Sequence, residues 1–277
     1  MISLALTIVF TVLLFILFKE FSSRGININQ AITFNYLTAG LLAFFLREYN
    51  YSLGDIIHAS WLLPTIGLGV FFIIMFNIMA LTTNKLGISI ASTASKMSLV
   101  IPVVGSIIIY NTNISSLKIL GIILALIAVY LTFKKKNEEK NNLMLAVILF
   151  IGAGLLDMTL DLIRNTYLSN SHEFNQFITT VFFSAFIVGI IVMTHSYNKI
   201  KIRNVLAGII LGIPNYFSMY FVLIALEQLG SIYVFPVLNI GVVLTSAIAS
   251  WFFYNENMSF TNWIGIFFAC ISILIIT

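Results

Sequence analysis

YNTNIS, Tyr110 to Ser115, and YNENMS, Tyr254 to Ser259, decide how this chain is built, because they are one polar sextet written twice, 144 positions apart. Apolar low-complexity stretches align with one another by chance; polar sextets do not. Working outward, Gly121-Ile122 follows the first copy as Gly265-Ile266 follows the second. Ahead of them stand Leu86-Gly87 and Leu229-Gly230, at a spacing of 143, and with that spacing Ile66 and Gly69 fall on Ile209 and Gly212. Earlier still, NQAIT (Asn29 to Thr33) matches NQFIT (Asn175 to Thr179). The blocks keep their order, and the slip between them, of three residues and then one, is absorbed at helix ends. A fixed spacing of this kind is the mark of a duplicated unit, and the expected halves are residues 1–138 and 139–277.

The material of each half sets the class. Of the 277 residues 60% are hydrophobic and 9% charged, outside the range of a soluble globular domain. A hydrocarbon core roughly 30 Å thick needs about 20 apolar residues as a helix. Ten apolar runs are present, at 2–18, 31–46, 61–82, 87–109, 116–133, 143–163, 176–194, 205–226, 231–253 and 259–277. Amides left unpaired in lipid are too unfavourable for open strands, so the runs are expected to be helices. Five helices per half is an odd number, so the second copy must lie upside down relative to the first. The expected fold is therefore an all-α polytopic membrane protein of ten transmembrane helices arranged as a five-plus-five inverted repeat.

Short connections between runs leave no room for a soluble domain, which excludes most enzyme classes. The first run has neither a basic flank nor a small-residue cleavage site and reads as a retained helix. Cys270 is the single cysteine, so no intramolecular disulfide and no cysteine-pair zinc site can form. Neither cofactor nor metal is implied. The net charge of +4 is gathered in loops such as KKKNEEK (Lys134 to Lys140) and NKIKIR (Asn198 to Arg203). There it serves topology and contact with anionic headgroups of membrane lipids, not nucleic acid. Loops after the odd-numbered runs carry Lys19, Arg24, Lys85, Lys134, Lys135, Lys136, Lys140, Lys199, Lys201 and Arg203, against Arg47, Lys118 and Arg164 on the other side. By charge alone the first set is cytoplasmic and both termini are outside.

The closing block FFYNENMSFTNWIGIFFACISILII, together with ten runs as five plus five, resembles the EamA-type members of the drug/metabolite transporter superfamily. In that family the ninth helix commonly ends in an apolar-x-x-Glu-x-apolar-Ser/Thr turn leading into a Gly-containing tenth helix; Glu256, Met258, Ser259 and Gly265 occupy those places here. The first half departs from the pattern, with Thr112 where the second has Glu256. The resemblance implies a pathway lined by the third, fourth, eighth and ninth helices with the first and sixth. It also implies cytoplasmic termini, opposite to the loop charges, and the orientation stays open.

Inside the fourth run, STASKMSLVIP (Ser92 to Pro102) carries Lys96, roughly 13 Å into a helix begun at Gly87 at about 1.5 Å per residue. An ammonium at that depth needs a carboxylate partner or a neutral form. The sixth run offers LLDMTLDLIR, whose spacing puts Asp157, Asp161 and Arg164 on one helix face. Asp161 and Arg164 are a candidate ion pair near the run's end, and Asp157 is the deeper acid. Two readings follow: Lys96 and Asp157 face a shared cavity and change partners between states, or they form a static bridge. By the repeat, Lys96 falls on Asn239 in FPVLNIG. Further candidates for substrate binding or gating are Asn77, Tyr216, Tyr220 and Tyr233, whose polar groups must find partners in hydrocarbon. Ser92, Thr93 and Ser95 fit bonds to the preceding turn of their own helix. Pro102, Pro214 and Pro236 are expected to kink their helices. Trp61, Trp251 and Trp263, at run ends, read as interfacial anchors.

These features suggest a secondary transporter, not an enzyme. It would move a small polar or amphipathic metabolite by alternating access, with export of an amino acid or related compound the theme the resemblance suggests. No phosphate-binding loop of the G-x-x-x-x-G-K kind occurs, so a gradient is the expected driving force and a proton at Asp157 the candidate coupling ion. The expected location is the bacterial cytoplasmic membrane. The alternative is a non-transporting membrane scaffold or lipid-handling subunit. Oligomeric state has no signature in the sequence.

Overall fold

The computed structural model describes residues 1–47, 53–110, 115–133, 140–168, 171–195, 199–256 and 258–276. Among these the chain is helical, without strands: α1 (Ile2–Ser23), α2 (Ile28–Phe45), α3 (Leu53–Ile57), α4 (Leu62–Leu86), α5 (Ile88–Met97), α6 (Val100–Tyr110), α7 (Ser116–Phe133), α8 (Lys140–Tyr167), α9 (Ser171–His195), α10 (Ile202–Leu229), α11 (Ser231–Tyr254) and α12 (Phe260–Ile276). Every apolar run falls on a helix. Seven stretches among the described residues are long and apolar enough to cross a membrane: Ile2–Ser23, Leu62–Leu86, Ile88–Gly105, Leu143–Ile163, Glu173–Thr194, Ile202–Leu229 and Tyr233–Tyr254. The other three runs lie on α2 and α7, of 18 residues each, and α12, of 17, at the short end of what a bilayer requires. The chain is an integral, multi-pass membrane protein.

The fourth run is expected as one helix, and the structure divides it. α5 ends at Met97 and α6 begins at Val100. The cause is Pro102: its nitrogen has no proton for the Ser98 carbonyl four residues back, and its ring crowds that carbonyl. The Ser98 oxygen instead accepts from the Ile101 N–H at 2.9 Å, a tighter turn than the helix on either side. Pro214 and Pro236 stand inside α10 and α11, which run on through them.

Packing groups the chain into two units, one of Met1–Lys19, Ile78–Leu155 and Ser218–Thr277, the other of Glu20–Asn77 and Leu156–Phe217. The grouping is one of contacts, whereas the expected halves 1–138 and 139–277 are a matter of sequence register.

In the first unit α7 and α12 run antiparallel in close contact. A methyl at Gly121 would stand 2.7 Å from Ile276, and one at Gly265 would stand 2.7 Å from the Thr132 backbone nitrogen. Hydrogen bonds cross the same seam: Ser272 Oγ donates to the Gly121 carbonyl at 2.9 Å, and Asn262 Nδ2 donates to the Thr132 carbonyl at 2.8 Å. Between membrane helices, small residues and such bonds do what water exclusion does elsewhere. Val243, Ala247 and Ile266 form a buried cluster nearby, with Met258 and Cys270 against it.

In the second unit α2 and α9 also run antiparallel: Gly189 lies against Thr33, and Gly40 against Phe182 and Phe183. Tyr36 is fully buried between Phe76 and Phe182, and its hydroxyl donates to the Phe72 carbonyl at 3.0 Å. Two close approaches fix the outer helices. Gly69 of α4 leaves 2.6 Å between a built methyl and Ser184 of α9, and Gly212 of α10 leaves 2.5 Å to Thr38 of α2. The NQ block has a structural reason. Asn27 caps α2 by accepting from the Gln30 N–H at 3.1 Å, while the buried Gln30 amide donates to the Lys199 carbonyl at 3.1 Å and accepts from Asn204 at 2.6 Å. Trp61 is buried edge-on against Phe177, while Trp251 and Trp263 are exposed.

The seam in the first unit has a direct test. Gly265→Ala should destabilise the protein by about 1–3 kcal/mol, the usual penalty for overpacking. No described atom lies within 4 Å of a methyl built at Gly67, so Gly67→Ala should be neutral or slightly stabilising. Thermal unfolding of the two variants in one detergent compares them.

Candidate functional site

The site is built around α5. Gly87 heads this helix with φ +102°, a conformation that L side chains rarely adopt, and provides no side-chain cap. The first turn of a helix leaves amide protons without intrahelical partners, and these carry positive partial charge. Here a carboxylate from a distant part of the sequence meets them. Glu256 Oε1 accepts from the Ile88 N–H at 3.2 Å and from Lys19 Nζ at 3.2 Å, while Oε2 accepts from Ser250 Oγ in a short bond. Lys19 is 26% exposed and Glu256 17%, so this ion pair is only partly open to solvent. Gly87 is required twice over, since a methyl there would stand 2.6 Å from Glu256 Oε1. Asn255, just before the acid, has φ +48° and donates its N–H to the Ser250 carbonyl as the C-cap of α11, which turns Glu256 back onto its own helix end. The apolar-x-x-Glu-x-apolar-Ser turn therefore holds an acid on the head of another helix. Beyond it, Ser259 Oγ caps α12 by accepting from the Asn262 N–H at 3.2 Å.

Lys96 occupies the last turn of the same helix, half-buried. Because the helix is interrupted at Ser98 and Leu99, the ammonium lies at a helix C-terminus, where the helix dipole favours positive charge. α5 is thus a ten-residue helix with an anion at its head and a cation at its foot, each matched to the dipole. Along it, Ser92 Oγ donates to the Ser89 carbonyl at 3.0 Å and Ser98 Oγ to the Ser95 carbonyl at 2.5 Å. The hydroxyls of Ser89 and Thr93 are buried without a hydrogen-bond partner among the described residues.

Of the other candidates in the first unit, Asn239 is half-buried in α11 and Tyr233 is exposed near its start. Tyr220 of α10 is half-buried, edge-on to Phe221 at 5.4 Å. The second unit holds the rest. The Asn77 amide donates to the Ile73 carbonyl of its own helix at 2.8 Å, and Tyr216 is buried, edge-on to Phe217. Asp157 and Asp161 are exposed on α8 at helical spacing. The Arg164 side chain lies outside the described residues, as do residues 111–114 with Thr112, and so does any account of an Asp161–Arg164 pair. Lys96 belongs to one unit and Asp157 to the other. The structure adds a polar contact that the candidate set lacks, Asn215 Nδ2 donating to Asn35 Oδ1 at 3.2 Å, both buried.

Sequence reasoning singled out Glu256 as a motif residue but left it, Lys19 and Ser250 out of the candidate site. The available signals were an acid straight after an apolar run and a lone lysine ending another. No group of three or more histidine, cysteine or acidic residues suited to a metal ion occurs among the described residues.

Comparison with known proteins bears on the second half above all. A protein of Haemophilus influenzae, described as an uncharacterized protein, is 26% identical over 282 residues, which cover 96% of this chain and 94% of that protein. The family model described as EamA-like transporter family matches residues 143–277. That segment contains the Glu256 turn and α12, and the match is to transporters, not to an enzyme family. Residues 143–277 are thus similar to the EamA-like transporter family, in agreement with the drug/metabolite transporter superfamily that the turn from Glu256 to Gly265 resembles.

Proposed function

We propose that this protein is a secondary transporter that moves a small polar or amphipathic metabolite, an amino acid or related compound, out of the cell across a bacterial cytoplasmic membrane by alternating access. The observation that carries the reading is the broken fourth span. An apolar span interrupted at Ser98 and Leu99, with Lys96 at the end of its first half, sets a charge beside the break. Transporters use such interrupted helices to bind polar cargo near the bilayer midplane. Lys96 takes the anionic group of the substrate, Asn239 is its neutral counterpart in the second half, and Tyr220 and Tyr233 of the same packing unit add polar lining.

Reciprocal contacts support the inverted repeat of 1–138 and 139–277. Gly121 meets Ile276 as Gly265 meets Thr132, and adding 144 to the first-half residue of one contact gives the second-half residue of the other. Gly69 against Ser184 and Gly212 against Thr38 exchange partners too, at the spacings of their own blocks, 143 for the glycines and 146 for Thr38 and Ser184. The pairs α7/α12 and α2/α9 are register equivalents that run antiparallel, as copies inverted in the membrane must.

Metabolite profiling of cells and medium tests the reading. A compound should cross with the wild-type protein and not with Lys96→Ala at equal membrane abundance. Equal export by both makes Lys96 a structural residue; no difference between wild type and cells lacking the protein defeats transport itself and favours the scaffold or lipid-handling reading.

Asp157 is the proposed proton-coupling acid. In vesicles the wild-type flux should accelerate when a proton gradient is imposed, and Asp157→Asn should abolish that acceleration. A wild-type flux indifferent to the gradient rules the coupling out.

A further inference from the structure

Four cations from two distant stretches of sequence are held together at one end of the second unit. Gln30 and Asn204, both buried, clamp the chain that leads into α10 against the chain that leads into α2. The Gln30 side chain donates to the Lys199 carbonyl at 3.1 Å and accepts from the Lys201 N–H at 3.3 Å, while Asn204 Oδ1 accepts from the Asn27 N–H at 3.2 Å. Arg203 closes the clamp by donating from Nη2 to the Arg24 and Gly25 carbonyls. At 199 and 201 the backbone does the fastening, and Arg24, Lys199, Lys201 and Arg203 are all exposed. Among the described residues the one carboxylate bonded to any of the four is Glu20, which accepts from Arg24 Nε at 3.0 Å. Four cations against one acid leave the place strongly positive.

The surroundings favour a lipid over a soluble anion. Arg24 directly follows α1 and residues 199–203 run into the first turn of α10, so the cations stand at the ends of apolar helices, at the level of headgroups. The cations also alternate with isoleucines. In Lys199-Ile200-Lys201-Ile202-Arg203, Ile200 is 57% exposed and Ile202 73%. A soluble anion would neutralise the cations and leave both isoleucines bare, whereas a phospholipid covers the two together.

We propose that Arg24, Lys199, Lys201 and Arg203 form a binding site for an anionic phospholipid, with its phosphate among the cations and the upper part of an acyl chain against Ile200 and Ile202. A zwitterionic lipid brings its own ammonium into the same positive field, so the site selects an anionic headgroup. Lipid capture here is independent of transport, and either can hold without the other.

The test uses the full chain in a neutral detergent, titrated with phosphatidylglycerol or with phosphatidylcholine of the same acyl chains and read by native mass spectrometry. Phosphatidylglycerol should bind more tightly. Lys199→Gln with Lys201→Gln should weaken it by about thirtyfold, since a lysine near an anionic headgroup is worth about a factor of five. The backbone bonds of the clamp survive that change, so the fold should too. Lys85→Gln with Lys118→Gln removes two exposed charges from the other unit and should leave binding almost unchanged. Ile200→Ser with Ile202→Ser should weaken the lipid without touching a charge, and it serves if the lysine variant does not fold. Equal binding of the two lipids, or equal loss from the two lysine pairs, means diffuse attraction and overturns the proposal. Displacement of the lipid by inorganic phosphate at matched ionic strength, or binding unchanged in the isoleucine variant, means a site for a soluble anion and overturns it as well.

Discussion

The first amides of a helix have no intrahelical partner, and at the head of α5 the Ile88 N–H is given one by a distant carboxylate. Glu256 takes the Ile88 N–H, Ser250 Oγ and Lys19 Nζ together, and so ties the head of α5 to the end of α11 and to α1. The charge is tolerable because everything around it donates: an amide, a hydroxyl and an ammonium. Much of the rest of α5 depends on this contact. The helix has ten residues, too few to be stable alone, and it is held at its head by an anion and ended by the strain that Pro102 imposes on Ser98. Lys96 owes its position to both.

Glycine works here at two levels. At Gly87 it grants a backbone conformation and leaves room for the carboxylate. At Gly69, Gly121, Gly212 and Gly265 it lets helices touch backbone to side chain where lipid gives no hydrophobic drive for association. The second set falls into reciprocal pairs: Gly121 meets Ile276 and Gly265 meets Thr132 across α7 and α12, while Gly69 meets Ser184 and Gly212 meets Thr38.

What the residues disclosed and what they concealed can be traced to particular positions. The ten runs are helices because only a helix pairs its own amides in lipid, a demand local enough to read from composition. The break after Met97 was half legible: Pro102 announced a kink, but nothing local said that the helix would divide there and leave Lys96 at a C-terminus. Asn77 was legible only as a demand. Its amide needed a partner, and it found the Ile73 carbonyl of its own helix, a local solution that spacing cannot tell from a pathway role.

By itself the sequence determined the membrane class and the helical content, because apolar length and backbone pairing are properties of the chain taken in order. Tertiary structure alone decided that Glu256 would cap α5, that Lys19 would be its counter-ion, and that Gly87 would be covered by the Glu256 carboxylate. These depend on residues far apart in the chain arriving within hydrogen-bond distance, and such meetings are settled by the packing of whole helices.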